Sequence, residues 1–386
     1  MAYKVISADS HIVEPPHLWD TYLPKEFQKF APKLVKDQDG GDAWQLGEGV
    51  VAPIGLVAVK RGRKHSDPDY KWTGLQMKDA NQGCFYPEAR IKEQDEDGVD
   101  AEILFGPNRT IMYFTGLGNH EVALAAVQAY NNWMAKEFCA GAPTRLFGLC
   151  MIPNTGINDA IAELKRGHAM GMKGCAIWAW PSGGDGISAA DDAFWAEAQR
   201  LKMPINIHVR MPGSKGGLMG TQRAGSIQGQ KLTRSPLIGM SCSPVEEMPQ
   251  ILCETIFNGL FDRFPDLQFV GAEVNIGWVP EILQMMDDAF ERDRYWTKTE
   301  LKKKNPSDYW FSNWSCTFLI DYFGVASRKW IGVKNALWSS DYPHHRTDWP
   351  HSTPLIDKLM QDVPADERQL MLAGNAIRLY NLPKAA

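Results

Sequence analysis

The sequence predicts an α/β protein, a TIM-like (β/α)8 barrel in which eight parallel strands alternate with helices. Eight short runs of β-branched and apolar residues recur along nearly the whole chain. Most of these runs are separated by segments with apolar residues at i, i+3 and i+4, the spacing of an amphipathic helix. This alternation indicates repeated βαβ units, and eight such units favour a closed barrel over an open sheet.

The predicted elements follow one another in chain order. The strands are short apolar runs, at residues 5–12, 101–107, 145–153, 174–181, 204–210, 267–275, 310–318 and 336–343. The helices have helical apolar spacing, at residues 119–142, 156–170, 191–202, 245–264, 277–295, 319–331 and 352–382. Asn154 and Thr155 precede the second helix and Gly171 follows it, and these residue types are typical of helix ends.

Two segments do not fit the βα repeat. Residues 20–86, after the first strand, are rich in Pro, Gly and charged side chains. We expect them to form a cap inserted over one barrel face, within a single domain that spans residues 1–386. Residues 211–243, after the fifth strand, are dominated by Gly, Ser, Met and Gln. A loop of this length in a compact domain is typically a lid, a binding loop or a subunit contact.

Composition and charge exclude several classes of protein. The chain has 41 Lys and Arg against 46 Asp and Glu, a net charge of −5, and no long basic tract. This argues against a nucleic-acid partner and against a polybasic membrane anchor. The sequence contains no apolar run of about 18 residues, so no membrane span is expected. Its start lacks the features of a signal peptide, and its seven cysteines are scattered, so we expect a cytoplasmic protein with reduced thiols.

Polar side chains interrupt the apolar pattern at the carboxyl ends of two predicted strands. The first strand ends in Asp9-Ser-His11, and the fifth ends in His208-Val-Arg210. Alternate residues of a strand point to the same side, so each pair shares one face. The carboxyl ends of barrel strands meet at one mouth, where barrel enzymes carry their chemistry. We therefore expect these four side chains to lie at that mouth.

The sixth and eighth predicted strands also end in titratable residues. Glu273 lies where the apolar pattern of the sixth strand would place a β-branched residue, and the eighth strand ends in Asp341, followed by His344. Burying several such groups without partners costs about 2–7 kcal/mol each. A divalent cation supplies the compensating charge. Carboxylate and imidazole donors together suit Zn²⁺, Mn²⁺ or Fe²⁺ better than Ca²⁺, so the sequence predicts a metal site.

The chain resembles the amidohydrolase-related proteins in motifs that occur in order from its first residues to its last. These motifs are ISADSHIVEPPHLWDTYLP, the IHV strand, GAEVNIGWVPEIL, LWSSDYPHHRTDWPHS and LAGNAIRLYNL. This branch of the amidohydrolase superfamily includes aminocarboxymuconate-semialdehyde decarboxylase and the resorcylate and vanillate-type decarboxylases. The resemblance implies a distorted (β/α)8 barrel with a mononuclear metal at its mouth. Position by position, it implies four metal ligands: Asp9, His11, His208 and Asp341.

The chain departs from the family pattern at two positions. The first strand offers Asp9 and His11, DxH, in place of HxH, and Glu273 lies where decarboxylase relatives often place a catalytic histidine. Both departures concern the site itself. The expected metal is Zn²⁺, with Mn or Fe as alternatives, and the two departures leave the metal preference and the identity of the proton donor open.

A metal held in this way supports two reactions on a small carboxylate-bearing molecule. In hydrolysis, the metal lowers the pKa of a bound water, and Asp341 is the candidate general base. In non-oxidative decarboxylation, the metal binds the substrate carboxylate, a carbon is protonated and CO₂ leaves. Glu273 is a further candidate catalytic residue, and Arg210 is a candidate partner for the substrate carboxylate, because a guanidinium binds carboxylates in a bidentate manner.

Two other functions remain open at the level of sequence. Glu273 and His344 could hold a second ion beside the first, which would make a dinuclear Mn/Fe oxygenase that hydroxylates its substrate. The chain could instead be a partner subunit, active only with a related chain. We expect a homo-oligomer, or a hetero-oligomer with such a chain, because close relatives tend to be oligomers.

Overall fold

The computed structural model describes residues 3–48, 50–63, 67–68, 70–209, 211, 237, 241–242 and 245–383. Eight parallel strands form one sheet, in the order β1-β5-β6-β7-β8-β9-β10-β11. The predicted (β/α)8 barrel is therefore confirmed. The eight strands are β1 (Ile6–His11), β5 (Ala101–Phe105), β6 (Leu146–Met151), β7 (Gly174–Ile177), β8 (Ile205–His208), β9 (Phe269–Ala272), β10 (Trp314–Phe318) and β11 (Ala336–Trp338).

Helices follow most of the barrel strands and pack around them. The earlier helices are α1 (His17–Tyr22), α2 (Pro87–Asp97), α3 (Asn108–Gly116), α4 (His120–Trp133), α5 (Ile157–Ala169), α6 (Asp192–Leu201) and α7 (Met248–Phe257). The later helices are α8 (Leu260–Arg263), α9 (Val279–Thr297), α10 (Ser307–Asn313), α11 (Tyr322–Ala326), α12 (Arg328–Ile331), α13 (Ser352–Leu359), α14 (Ala365–Gln369) and α15 (Asn375–Leu379). No helix of the described chain combines the length and the apolar character that crossing a membrane requires.

Several predicted boundaries are wrong. The strand predicted at 310–318 begins only at Trp314, because residues 307–313 form α10. The single helix predicted at 245–264 is broken at Gly259, whose φ of 64° leaves the right-handed helical region. Helices α2 and α3 are not among the predicted elements. The sequence of α2, PEARIKEQDED, is largely polar and gives little apolar periodicity.

The barrel closes between β1 and β11 through hydrogen bonds beyond the regular strand ladders. The backbone N–H of Asp341 donates to the carbonyl oxygen of Asp9 at 3.0 Å, and the N–H of His11 donates to the carbonyl oxygen of Tyr342 at 2.6 Å. The hydroxyl of Ser7 accepts a hydrogen bond from the backbone N–H of Ser340 at 2.9 Å. This closing seam includes three residues that the sequence predicts as metal ligands, namely Asp9, His11 and Asp341. Its other members lie close to them in sequence, namely Ser7, Ser340 and Tyr342.

The segment between the first and second barrel strands carries a small sheet of its own. Strands β2 (Lys33–Lys36), β3 (Asp42–Gln45) and β4 (Val51–Pro53) pair in antiparallel fashion in the order β2-β3-β4. The carbonyl oxygen of Leu56 accepts a hydrogen bond from the backbone N–H of His345 at 2.9 Å. This contact places part of the inserted segment against the loop that follows β11. Its role as a cap within one domain stays a prediction.

Candidate metal centre

The first two candidate ligands lie at the end of β1, where the strand is irregular. The pairing of β1 with β5 shifts between Ser7 and Ser10, so three steps along β1 match two along β5. Such a bulge redirects the side chains that follow it. Asp9 and His11 are both buried, and Oδ1 of Asp9 lies 3.3 Å from Nε2 of His11.

Side chains from β8 and from the end of β11 meet the same nitrogen. Nε2 of His208 lies 3.0 Å from Nε2 of His11 and 3.7 Å from Oδ1 of Asp9. Oδ1 of Asp341 lies 3.3 Å from Nε2 of His11. Donor atoms of three predicted ligands therefore lie within 3.3 Å of Nε2 of the fourth, His11, at the carboxyl ends of the strands; the three are Asp9, His208 and Asp341.

This arrangement fits a divalent cation. Both carboxylate oxygens of Asp9 and of Asp341 are buried, and within the part of the chain that the structure describes none of them accepts a hydrogen bond of good geometry. The imidazole nitrogens of His11 and His344 lie 2.9–3.3 Å from their Oδ1 atoms. Carboxylates buried in this state are costly unless a cation neutralises them. Oxygen and nitrogen donors in this combination suit Zn²⁺, Mn²⁺ and Fe²⁺. The donor set and the buried carboxylates, whose nearest donors are imidazoles of the same cluster, support this fit.

His344 completes a second group of donors that overlaps the first. Nδ1 of His344 lies 2.9 Å from Oδ1 of Asp341, and its ring stacks on that of His11 with 3.8 Å between centroids. The two groups, Asp9–His11–His208 and His11–Asp341–His344, each have donor atoms within 4.8 Å of one another and share His11. Because the Nε2 of a neutral imidazole has one lone pair, the shared donor favours one ion over two.

Glu273 lies beside this cluster, at the end of β9. Its Oε2 is 3.5 Å from Nε2 of His208, and its backbone N–H donates to the hydroxyl of Thr317 at 2.8 Å. The side chain is 18% exposed, whereas that of Asp341 is 1% exposed. Glu273 is thus the acid of the site that a molecule entering the mouth can reach.

The charges of the site are strongly coupled. Burial lowers the pKa of His11 while Asp341 and Asp9 raise it, and the net result is an increase to about 10. Burial lowers the pKa of His208 to about 4, against the opposing charge of Asp9. The two carboxylates therefore draw a positive charge to Nε2 of His11, and a bound divalent ion would supply that charge instead.

Burial raises the pKa of both Glu273, which follows β9, and Asp341, which follows β11, but their neighbours shift the two pKa values in opposite directions. Burial raises the pKa of Asp341, but His344 and His11 lower it, with a net decrease. Burial, followed by the charges of Asp341 and Asp9, raises the pKa of Glu273 well above its ordinary value. Environments that separate the pKa values of two neighbouring acids are typical of acid–base sites. Here the pKa of Asp341 lies below its ordinary value and that of Glu273 lies above it.

The backbone is strained where three strands deliver these residues. Asp341, Glu273 and Val209, the residue after His208, have positive φ values of 53°, 57° and 60°. Each such conformation costs a residue other than glycine about 1–3 kcal/mol. Strain of this kind persists only where the surrounding structure holds it, and it concentrates at functional sites.

One predicted site residue lies outside the described residues, and several supporting residues were missed. Arg210, the predicted partner of the substrate carboxylate, is not among the described residues. The sequence did not predict a buried hydrogen-bond network next to Asp341. In this network Arg90 donates to Glu102 and to the carbonyl oxygen of Tyr342. The polar pattern of α2 gave no indication that Arg90 is buried.

A (β/α)8 barrel with a cluster of carboxylates and imidazoles at its mouth is typical of metal-dependent enzymes. Residues 15–382 match the family model described as amidohydrolase, so the chain belongs to the amidohydrolase family. The prediction of an amidohydrolase-related enzyme is therefore confirmed.

Two curated relatives are decarboxylases. The chain is 24% identical over 292 residues to gamma-resorcylate decarboxylase of Rhodococcus jostii strain RHA1, covering 68% of this chain and 80% of the relative. It is 22% identical over 314 residues to 2-amino-3-carboxymuconate-6-semialdehyde decarboxylase of Dictyostelium discoideum, covering 80% of each.

Solved structures share the fold at low sequence identity. An amidohydrolase from Mycobacterium avium subsp. paratuberculosis K-10 superposes with a TM-score of 0.75 at 18% identity, with 98% of each chain covered. A 5-carboxyvanillate decarboxylase from Novosphingobium aromaticivorans, solved with bound manganese, gives a TM-score of 0.67 at 18% identity, with 98% of this chain and 97% of that chain covered. These likenesses confirm the barrel.

Proposed function

We propose that the chain is a metal-dependent decarboxylase that releases CO₂ from a small aromatic or conjugated acid without oxidation. The observation that carries this proposal is the pairing of two overlapping groups of donors that share His11 with a partly exposed acid, Glu273, whose Oε2 lies 3.5 Å from Nε2 of His208. Both curated relatives are decarboxylases, which supports the same reaction. Hydrolysis is the alternative that the same barrel supports.

Asp9, His11, His208 and Asp341 would hold the ion, with His344 beside them. Bound there, a divalent cation supplies a Lewis acid that orients the substrate carboxylate and withdraws electron density from the conjugated system. We propose Mn²⁺ as the first candidate, because the related 5-carboxyvanillate decarboxylase was solved with manganese, and Zn²⁺ as the alternative.

Glu273 supplies the proton that the reaction needs. The carboxylic acid of Glu273 transfers a proton to the ring carbon that carries the carboxylate. The bond between this carbon and the carboxylate then breaks, and the electron pair of the broken bond restores the conjugated system as CO₂ leaves. The Glu273 carboxylate afterwards recovers a proton from water. An acid whose pKa is raised suits this role, whereas the lowered pKa of Asp341 makes it a weak general base for hydrolysis.

The test of the proposal is a product and gas balance under anaerobic conditions. The protein loaded with Mn²⁺ is incubated in D₂O with 2,6-dihydroxybenzoate or 5-carboxyvanillate, and with ester and amide analogues of each. We expect one CO₂ per decarboxylated product, with one deuterium on the carbon that lost CO₂, and no turnover of the esters or amides.

Other outcomes of this balance would contradict the proposal. Ester or amide cleavage without CO₂ release would indicate a hydrolase. A hydroxylated product that forms only in air would indicate the dinuclear oxygenase. Activity that appears only after a related chain is added would indicate a partner subunit, whereas activity of this chain alone would argue against that role.

A further inference from the structure

We propose that Arg90 is a positioning residue that holds the ligands of the closing seam in register through the carbonyl oxygen of Tyr342. Arg90 lies on α2 and does not touch the metal cluster itself. The inference rests on the proposed function, because it concerns how the proposed ligands are kept in place for the ion.

The carbonyl oxygen of Tyr342 joins the two chain segments that carry the ligands. It accepts a hydrogen bond from the backbone N–H of His11 at 2.6 Å and another from Nη2 of Arg90 at 3.2 Å. One residue earlier, the N–H of Asp341 donates to the carbonyl oxygen of Asp9 at 3.0 Å. The backbone of β1 and the segment after β11 are thus joined at the positions of three proposed ligands.

Arg90 is itself rigidly held. It is fully buried, and its Nε and Nη2 donate to the two carboxylate oxygens of Glu102 on β5 at 2.6 and 3.1 Å. Its Nη1 donates to the carbonyl oxygen of Gly83 at 3.1 Å, and its guanidinium lies 4.3 Å from the ring centroid of Tyr342. A guanidinium held on both edges and on one face is fixed in orientation, so the second N–H of Nη2 is aimed at the carbonyl oxygen of Tyr342.

The seam needs this support more than the regular strand pairs do. Its strands are joined by a few backbone and serine hydrogen bonds, whereas pairs such as β5–β6, β7–β8 and β10–β11 have regular parallel ladders. Asp341 also has a φ of 53°, a conformation that costs about 1–3 kcal/mol and relaxes when its surroundings loosen. Residues behind metal ligands typically alter metal affinity 10–100-fold when they are replaced.

The test compares Arg90→Lys with Arg166→Lys. Arg166 pairs with Glu163 at 2.5 Å in a partly buried ion pair on α5, away from the seam, so it provides a matched loss of a guanidinium. Free Mn²⁺ is measured by its EPR signal during titration of each metal-free protein, and thermal unfolding is recorded without metal. We expect Arg90→Lys to raise the Kd for Mn²⁺ about tenfold. We expect Arg166→Lys to leave the Kd within about twofold of the wild type, although both variants unfold at a lower temperature.

Equal Mn²⁺ affinity of the wild type and Arg90→Lys would overturn the inference, and so would equal losses in the two variants.

If Arg90→Lys does not fold, Glu102→Gln takes its place. Glu102→Gln keeps the shape of the acceptor and weakens its hold on the guanidinium. It is expected to raise the Kd by about tenfold, the lower end of the usual effect of such residues. A Kd unchanged in Glu102→Gln would likewise overturn the inference. Failure of the proposed function is distinguishable, because the Kd for Mn²⁺ is measured without substrate and does not depend on which reaction the site performs.

Discussion

Replacement of His208 by alanine is expected to remove most of the bound metal while the barrel stays folded. The imidazole contributes a donor atom 3.0 Å from Nε2 of His11, but β8 is held by backbone pairing with β7 and β9, which the substitution does not touch. We expect the metal content to fall from about one ion per chain to about a tenth of that or less, as is usual when metal sites are perturbed. Elemental analysis and far-ultraviolet circular dichroism measure the two effects.

The matched control for this change is His168→Ala. His168 is exposed in the last turn of α5, so its loss removes an imidazole without altering the mouth of the barrel. Its metal content should equal that of the wild type. Full metal occupancy in His208→Ala, or an equal loss in both variants, would count against the proposed ligand set.

Replacement of Glu273 by glutamine is expected to lower kcat about 10²–10⁴-fold while the metal content stays at that of the wild type. Glutamine keeps the size and the hydrogen-bonding capacity of the side chain but has no acidic proton to transfer. Oε2 of Glu273 lies 3.5 Å from His208, near enough to act on a substrate bound at the cluster. Steady-state rates and elemental analysis are measured on the same preparations.

Glu281→Gln is the control for the acid substitution. Glu281 is exposed in the first turn of α9, so this variant should keep the kcat of the wild type. If Glu273→Gln kept its activity, another group would have to be the proton donor. A fall from two ions to one in Glu273→Gln would instead indicate that Glu273 binds a second metal.

The convergence of the proposed ligands could be predicted from sequence because the barrel topology dictates it. Once the strands ending in Asp9, His11 and His208 are placed in a parallel barrel, their carboxyl ends must meet at one mouth. The period of two along a strand then selects which side chains share a face. This reasoning needs only the strand order, and it succeeds although the bulge in β1 was not predicted.

The support behind the site could not be predicted in this way. Arg90 lies in a helix whose sequence is almost entirely polar, so no pattern distinguishes it from an exposed side chain. Its acceptor on Tyr342 is a backbone carbonyl, and every residue has one. Which carbonyl is used depends on the three-dimensional path of the chain after β11. The break at Gly259 and the helix before β10 likewise depend on packing that local periodicity does not encode.

The most direct test of the account is a crystal structure of the protein grown with Mn²⁺, with the ion located by its anomalous scattering. We predict one peak per chain, with donor atoms of Asp9, His11, His208 and Asp341 at about 2.0–2.2 Å, the range of nitrogen and oxygen ligand distances at zinc sites. A map with no peak among these four side chains, or with an ion bound elsewhere in the barrel, would contradict the account.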